Sequence, residues 1–138
     1  MNSFSHYSFG AVMEWAFRDL AGIDTEGPGY RHIVIRPHPP TPGSNPDRAP
    51  IDWVRAEYGS IRGKIVTAWK RTGDGFDLTT TIPANTIADV YLPSQSADTV
   101  RESNQPLAVG TTVKALRQEG DRTVVQIESG TYHFTSKP

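Results

Sequence analysis

The residues of this chain that could carry chemistry are four histidines, fifteen carboxylates and a few aromatic side chains on polar surroundings. His32 and His38 lie six apart in an extended segment, which separates them by roughly 20 Å at strand rise. That spacing does not build a metal site, so both read as surface residues. His133 alternates with Tyr132 and Phe134 and should face outward on a final strand. His6 stands apart, because it sits between aromatics in a loop that leads into a helix. A loop histidine of this kind either satisfies nearby backbone groups or meets a ligand, and both roles stay open at this point.

The carboxylates are scattered. Asp24, Asp47, Asp74, Asp98 and Asp121 sit beside turns, and Glu57, Asp77, Asp89 and Glu128 on the polar faces of strands. A hydrolytic pair needs two carboxyls about 5–5.5 Å apart for retention, or about 6.5–9.5 Å for inversion. Local spacing places no two of them that way. Glu14 flanks an aromatic stripe on a helix, where an exposed glutamate serves simply as a good helix former. No Gly-x-Ser-x-Gly nucleophile and no phosphate-cradling glycine loop is present. Trp53, on a face with Arg55 and Glu57, and Tyr91, on a face with Asp89, could offer flat apolar platforms to a sugar. The plainer reading has them covering a neighbouring domain or the flank of a sheet.

The elements that hold these residues fall into two kinds. Phe9, Val12, Met13, Ala16, Phe17 and Leu20 recur at the spacing of one helical face. Ser8 is placed to cap that helix, and Gly22 to end it in a left-handed conformation. A lone helix this short needs a packing partner. Asp24–Gly29 reads as a turn-rich linker, and from Tyr30 onward alternation of period two takes over. Ile33 and Ile35 share a face, as do Val54, Ala56 and Tyr58, and the pattern runs on through Ile61, Ile65 and Trp69 and then Phe76, Leu78 and Ile82. Gly73-Asp74-Gly75 marks a hairpin. Further strands are expected near residues 87–92, 112–116, 122–127 and 131–135. Six prolines between Pro37 and Pro50 exclude a central strand there. The expectation is a mainly β fold, an antiparallel jelly-roll-like sandwich over residues 30–138, preceded by a short N-terminal helix.

Bulk properties narrow the rest. Fourteen basic and fifteen acidic residues give a net charge of −1 without a run of either sign, so nothing points to nucleic acid or an anionic membrane. The absence of cysteine excludes disulfides and thiolate metal sites. No apolar run approaches membrane-spanning length, and the N-terminus lacks the pattern of a signal peptide. No cofactor motif and no metal ligand set is visible.

The opening Met1-Asn-Ser-Phe-Ser-His-Tyr-Ser-Phe-Gly-Ala-Val-Met-Glu-Trp15 resembles a signature of the bacterial α-L-rhamnosidases, an inverting family with an (α/α)6-barrel catalytic domain. Later features keep the family's order: Ala21-Gly-Ile-Asp24, Pro28-Gly-Tyr-Arg-His-Ile-Val-Ile-Arg-Pro37, Tyr58-Gly-Ser-Ile-Arg-Gly-Lys-Ile65, Ile82-Pro-Ala-Asn-Thr86 and Glu128-Ser-Gly-Thr-Tyr-His-Phe134. The resemblance implies that residues 1–23 are a remnant of the catalytic barrel, 24–29 a linker and 30–138 a C-terminal β-sandwich. It further implies that His6 contacts the bound rhamnose, with Ser5 standing where asparagine is more usual. The family's general acid and base lie upstream of anything matched here. The chain alone is therefore expected to be inactive, whether it arises by truncation, by an internal start or from a split gene. Its partners would be a rhamnoside substrate in the intact enzyme, a barrel supplied in cis or trans, and a second copy met through the N-terminal helix. The rival expectation is a non-catalytic carbohydrate-binding or interaction module using Trp53 or Tyr91.

Overall fold

In a computed structural model describing residues 7–40, 47 and 49–138, the chain starts as a helix, α1 (Tyr7–Trp15), that loosens into a π-helical turn over Ala16–Leu20. Among the described residues nine strands follow: β1 (Ile23–Glu26), β2 (His32–Ile35), β3 (Trp53–Ser60), β4 (Gly63–Thr72), β5 (Gly75–Pro93), β6 (Arg101–Glu102), β7 (Gln105–Pro106), β8 (Val113–Glu119) and β9 (Arg122–Ser136). The fold is mainly β with one short helix ahead of it, as the alternation implies.

Two long strands organise everything else. The first half of β5 pairs with β4 and with the second half of β9, and β3 flanks β4. The second half of β5 pairs with β2 and with the first half of β9, while β1 and β8 lie outside these. Pairing shifts between Ile82 and Ile87, where Asn85 takes a left-handed φ of 58° and Thr86 Oγ1 donates to Pro83 O at 2.6 Å. Such a bulge bends the strand, so β5 and β9 serve both halves of one hydrogen-bonded, unclosed sheet. The stretches expected as separate strands (87–92 with 76–82, 122–127 with 131–135) are continuous because the ladder survives the bend. Pairing is antiparallel except between β2 and β5, which run parallel.

Both halves turn their apolar faces onto one core. Ile65, Trp69, Leu78, Phe134, Ile127, Val90, Ile33 and Ile35 are buried in it. The alternation that signals these strands is thus the alternation of burial, since successive side chains leave a strand on opposite sides. Gly73 (φ 56°) and Asp74 close the β4–β5 hairpin, with Thr72 opposite Gly75.

The segment Asp24–Gly29 is not wholly a connector. Ile23–Glu26 pairs antiparallel with β2, and Gly27-Pro28-Gly29 makes the turn of that hairpin. A four-residue strand carrying Asp24, Thr25 and Glu26 shows no alternation of polarity, which is why only its turn is legible. Ser8 lies inside α1 instead of capping it. The proline-rich stretch forms no strand among its described residues.

Candidate functional site

His6 falls outside the described residues, immediately ahead of Tyr7, so its surroundings are not placed. What is placed is the helix that follows it. α1 contains no buried residue. Tyr7 is 88% exposed and Phe9 71%, and Val12, Met13 and Trp15 are exposed too. Only the last turn finds cover: Phe17 and Leu20 pack against the core, with the Phe17 ring edge-on to Tyr58 at 5.9 Å.

That last turn is bound to the sheet by a series of donors. His38 N donates to Asp19 O at 2.8 Å and Trp69 Nε1 to Leu20 O at 2.8 Å. Thr67 Oγ1 donates to Ala21 O at 3.1 Å and Arg36 N to Gly22 O at 2.8 Å. A helix end leaves its final carbonyls without partners, and here the β domain supplies one to each of four successive residues. Gly22 has φ 79°, and a Cβ on it would lie 2.1 Å from Pro37 N. Only glycine allows this approach. Arg18 adds a surface tie, meeting Glu14 at 3.0 Å and Asp24 of β1 at 3.1 Å.

Beside the junction, Met13, Phe17, Ile23, Tyr30 and Tyr58 line a cleft of about 280 Å³. The Tyr30 and Tyr58 rings lie 5.1 Å apart. Burial, helped by the hydrogen bond with Tyr58, pushes the Tyr30 phenol up to about 12.

A second polar constellation lies on the outer face of the other half of the sheet, and centres on Asp89. Its carboxylate is nearly buried. Arg117 Nη2 donates to Oδ2 at 2.9 Å, Gln126 Nε2 donates to Oδ1 at 3.1 Å, and His32 Nε2 approaches Oδ1 at 3.3 Å in ion-pair range. The other side of the His32 ring faces Glu26 Oε2 at 3.1 Å. Burial acts to raise the Asp89 pKa, but the contacts from Gln126, Arg117 and His32 outweigh it and hold the carboxyl below its usual range. His32 is accordingly half-buried between two acids, where its spacing from His38 indicated an ordinary surface residue. A midstrand aspartate between Ala88 and Val90 was the available signal, and the sequence does not say what it pairs with.

The proposed platforms differ. Tyr91 has Arg36 and Arg117 guanidinium carbons 5.3 and 5.9 Å from its ring centroid, so its ring is already engaged by cations. Trp53 is 69% exposed, opposite Lys70 on the edge strand β3. On that same outer face His133 points away from the core and pairs with Asp77 at 3.0 Å. His38 is only partly covered, and that partial burial together with the Arg122 and Arg36 charges lowers its pKa. Among the described residues no group of three or more histidines and carboxylates is placed to hold a metal ion, and no helix is long and apolar enough to cross a membrane. Most acids have a cation: Glu57 meets Arg55 and Lys64, Asp74 meets Lys137, Glu119 meets Arg117 and Glu128 meets Lys114.

Comparison with known proteins identifies this arrangement. An alpha-L-rhamnosidase of Streptomyces avermitilis is 36% identical over 135 residues, which is 98% of this chain and 12% of the relative. One from Formosa agariphila is 27% identical over 137 residues, 99% of this chain and 14% of the relative. The crystal structure of the Streptomyces avermitilis alpha-L-rhamnosidase complexed with L-rhamnose matches 99% of the chain, and 12% of its own, with a TM-score of 0.79. The chain thus spans about an eighth of the length of these relatives. The model of the bacterial alpha-L-rhamnosidase C-terminal domain matches residues 22–106, starting at the glycine that joins helix to sheet, and the chain belongs to that family.

Proposed function

We propose that this chain is the C-terminal part of an inverting α-L-rhamnosidase. In this reading residues 1–23 complete a helical catalytic barrel, and residues 30–138 are an accessory β domain that supports it. His6 contacts the rhamnose from the loop ahead of α1. The observation that carries the reading is α1 itself, a helix with large apolar side chains in water at one end and a fully bonded seat at the other. An apolar surface of this kind seeks cover, and a set of neighbouring barrel helices would provide it. Inverting hydrolysis needs an acid and a base on either side of the bond, and these would come from the barrel. The test is hydrolysis of an aryl α-L-rhamnoside by the purified chain, with a His6→Ala control. No turnover is the expected result. Turnover abolished by His6→Ala would mean that the chain carries its own acid and base, and would overturn the proposal.

One observation favours a second reading, a carbohydrate-binding module: the wide exposure of Trp53 on the edge strand β3. Saturable binding of rhamnosides, lost in Trp53→Ala, would support it, and flat titrations at millimolar ligand would end it. Without a barrel, α1 is also the surface through which two copies would associate. Light scattering that finds a monomer at high concentration would exclude that.

A further inference from the structure

We infer that the β domain is a positioning device for the residues ahead of α1 that the proposed function sets against the rhamnose, and that Trp69 and Thr67 are the positioning residues that act through α1. The inference rests on the rhamnosidase reading above. Its physical basis is the seat of the helix. Trp69 is the largest fully buried side chain of the core, stacked on Phe76 at 5.8 Å. A buried indole N–H needs an acceptor, and it spends that donor on Leu20 O. Thr67, also fully buried, spends its hydroxyl on Ala21 O, two residues along the same strand face. Both donors reach the helix from β4, while backbone N–H groups of Arg36 and His38 reach its flanking carbonyls from the end of β2. The helix end is therefore held from two strands, and the missing Cβ of Gly22 lets it sit against Pro37.

A rigid seat matters because it sets the angle at which the helix, and any barrel packed on it, leaves the sheet. From Asp19 to Tyr7 is twelve residues, about 18 Å at helical rise. A tilt of about 5° at the seat displaces the far end by about 1.6 Å on that rise. A misplacement of about 1 Å in a substrate-positioning group can change rates about a hundredfold. His6 directly precedes Tyr7 in sequence, so the contact proposed for it depends on where the first residue of the helix is set. The π-helical turn over Ala16–Leu20, with Ala21 N donating to Ala16 O at 2.9 Å, carries the first carbonyls of the seat, and such turns locally reshape a helix.

Two experiments separate this inference from the reading beneath it. The chain has no cysteine, so Val12→Cys with Asp121→Cys labels it at two chosen points for a spin-label distance measurement. A narrow distribution that broadens in Trp69→Phe and in Thr67→Val is expected. Thr67→Val keeps the side-chain shape and removes only the donor, which covers the case in which Trp69→Phe folds poorly. Unchanged widths in both would overturn the seat. In the full-length polypeptide, the same variants should lower kcat/KM on an aryl α-L-rhamnoside by about ten- to a hundredfold, and adding His6→Ala should lower it little further. Such non-additivity is what coupled residues show. Losses that add in full, or unaltered kinetics in an active wild type, would overturn the positioning role. A wild-type polypeptide without turnover would remove the rhamnosidase reading and this inference with it, whatever the widths.

Discussion

The two ends of the segment from Tyr7 to Gly22 obey opposite rules. At the start, aromatic and aliphatic side chains stand in solvent and none of them is buried. At the end, Ala21 is buried and four successive carbonyls each receive a donor from the β domain. One helix is thus bound at one end and bare at the other. Hydrogen bonding and sterics attach its last turn to the sheet, while its first turns receive no such support from the β domain. Exposed apolar surface adds no stability to this chain, whereas the seat contributes the hydrogen bonds and the packing together.

The sharpest way to break the contrast is Gly22→Ala. A left-handed φ and a Cβ 2.1 Å from Pro37 N cannot both be relieved without moving β1 from its place. A loss above about 3 kcal/mol is expected, measured by urea unfolding. A loss under about 1 kcal/mol would show that the junction is pliable and the contrast overstated.

Next comes Asp89, which ties β5 to the β1–β2 hairpin that carries part of the seat. Its folded pKa is depressed, so its stabilisation is complete above the unfolded value of about 3.9 and is lost as pH falls through the lower folded value. Asp89→Asn should cost about 1–3 kcal/mol at pH 7. The gap from wild type should close as the pH drops below the ordinary carboxylate range. An equal gap at pH 7 and pH 2.5 would show that charge plays no part.

Along the helix itself the effects should diminish toward the N-terminus. Phe17→Ala, half-buried against Tyr58, should cost about 1–2 kcal/mol. Phe9→Ala, exposed, should stay within about 0.5 kcal/mol of wild type in this chain. Equal costs for the two would mean that the first turns have a partner within the chain. In the presence of the barrel that the proposed function invokes, burial of Phe9 would raise the cost of Phe9→Ala to about 3 kcal/mol and sharpen the contrast further.

Much of this architecture is legible in the residues. The Ile33/Ile35 and Phe76/Leu78/Ile82 alternations identify buried strand faces, because period-two spacing and one-sided burial are the same fact. Gly73-Asp74 specifies its hairpin and Gly22 its left-handed stop. The strand β1 is not legible, because its short polar residues at the sheet edge carry no pattern. Nor is the continuity of β5 and β9, which depends on a bulge at Asn85 that keeps both ladders joined. The Asp89 cluster gathers His32, Arg117 and Gln126 from three different strands, and spacing along the chain cannot bring them together.

By itself, then, the sequence determined the helix stripe, most strands, the glycine stop and the motif order resembling a rhamnosidase. All but the motif order depend on neighbours a few residues away, where periodicity and turn chemistry act. Only the tertiary structure decided that Trp69 and Thr67, almost fifty residues downstream, bind the end of that helix. A carbonyl does not specify in sequence which distant donor will satisfy it. Folding makes that choice when the core brings β4 beneath the last turn.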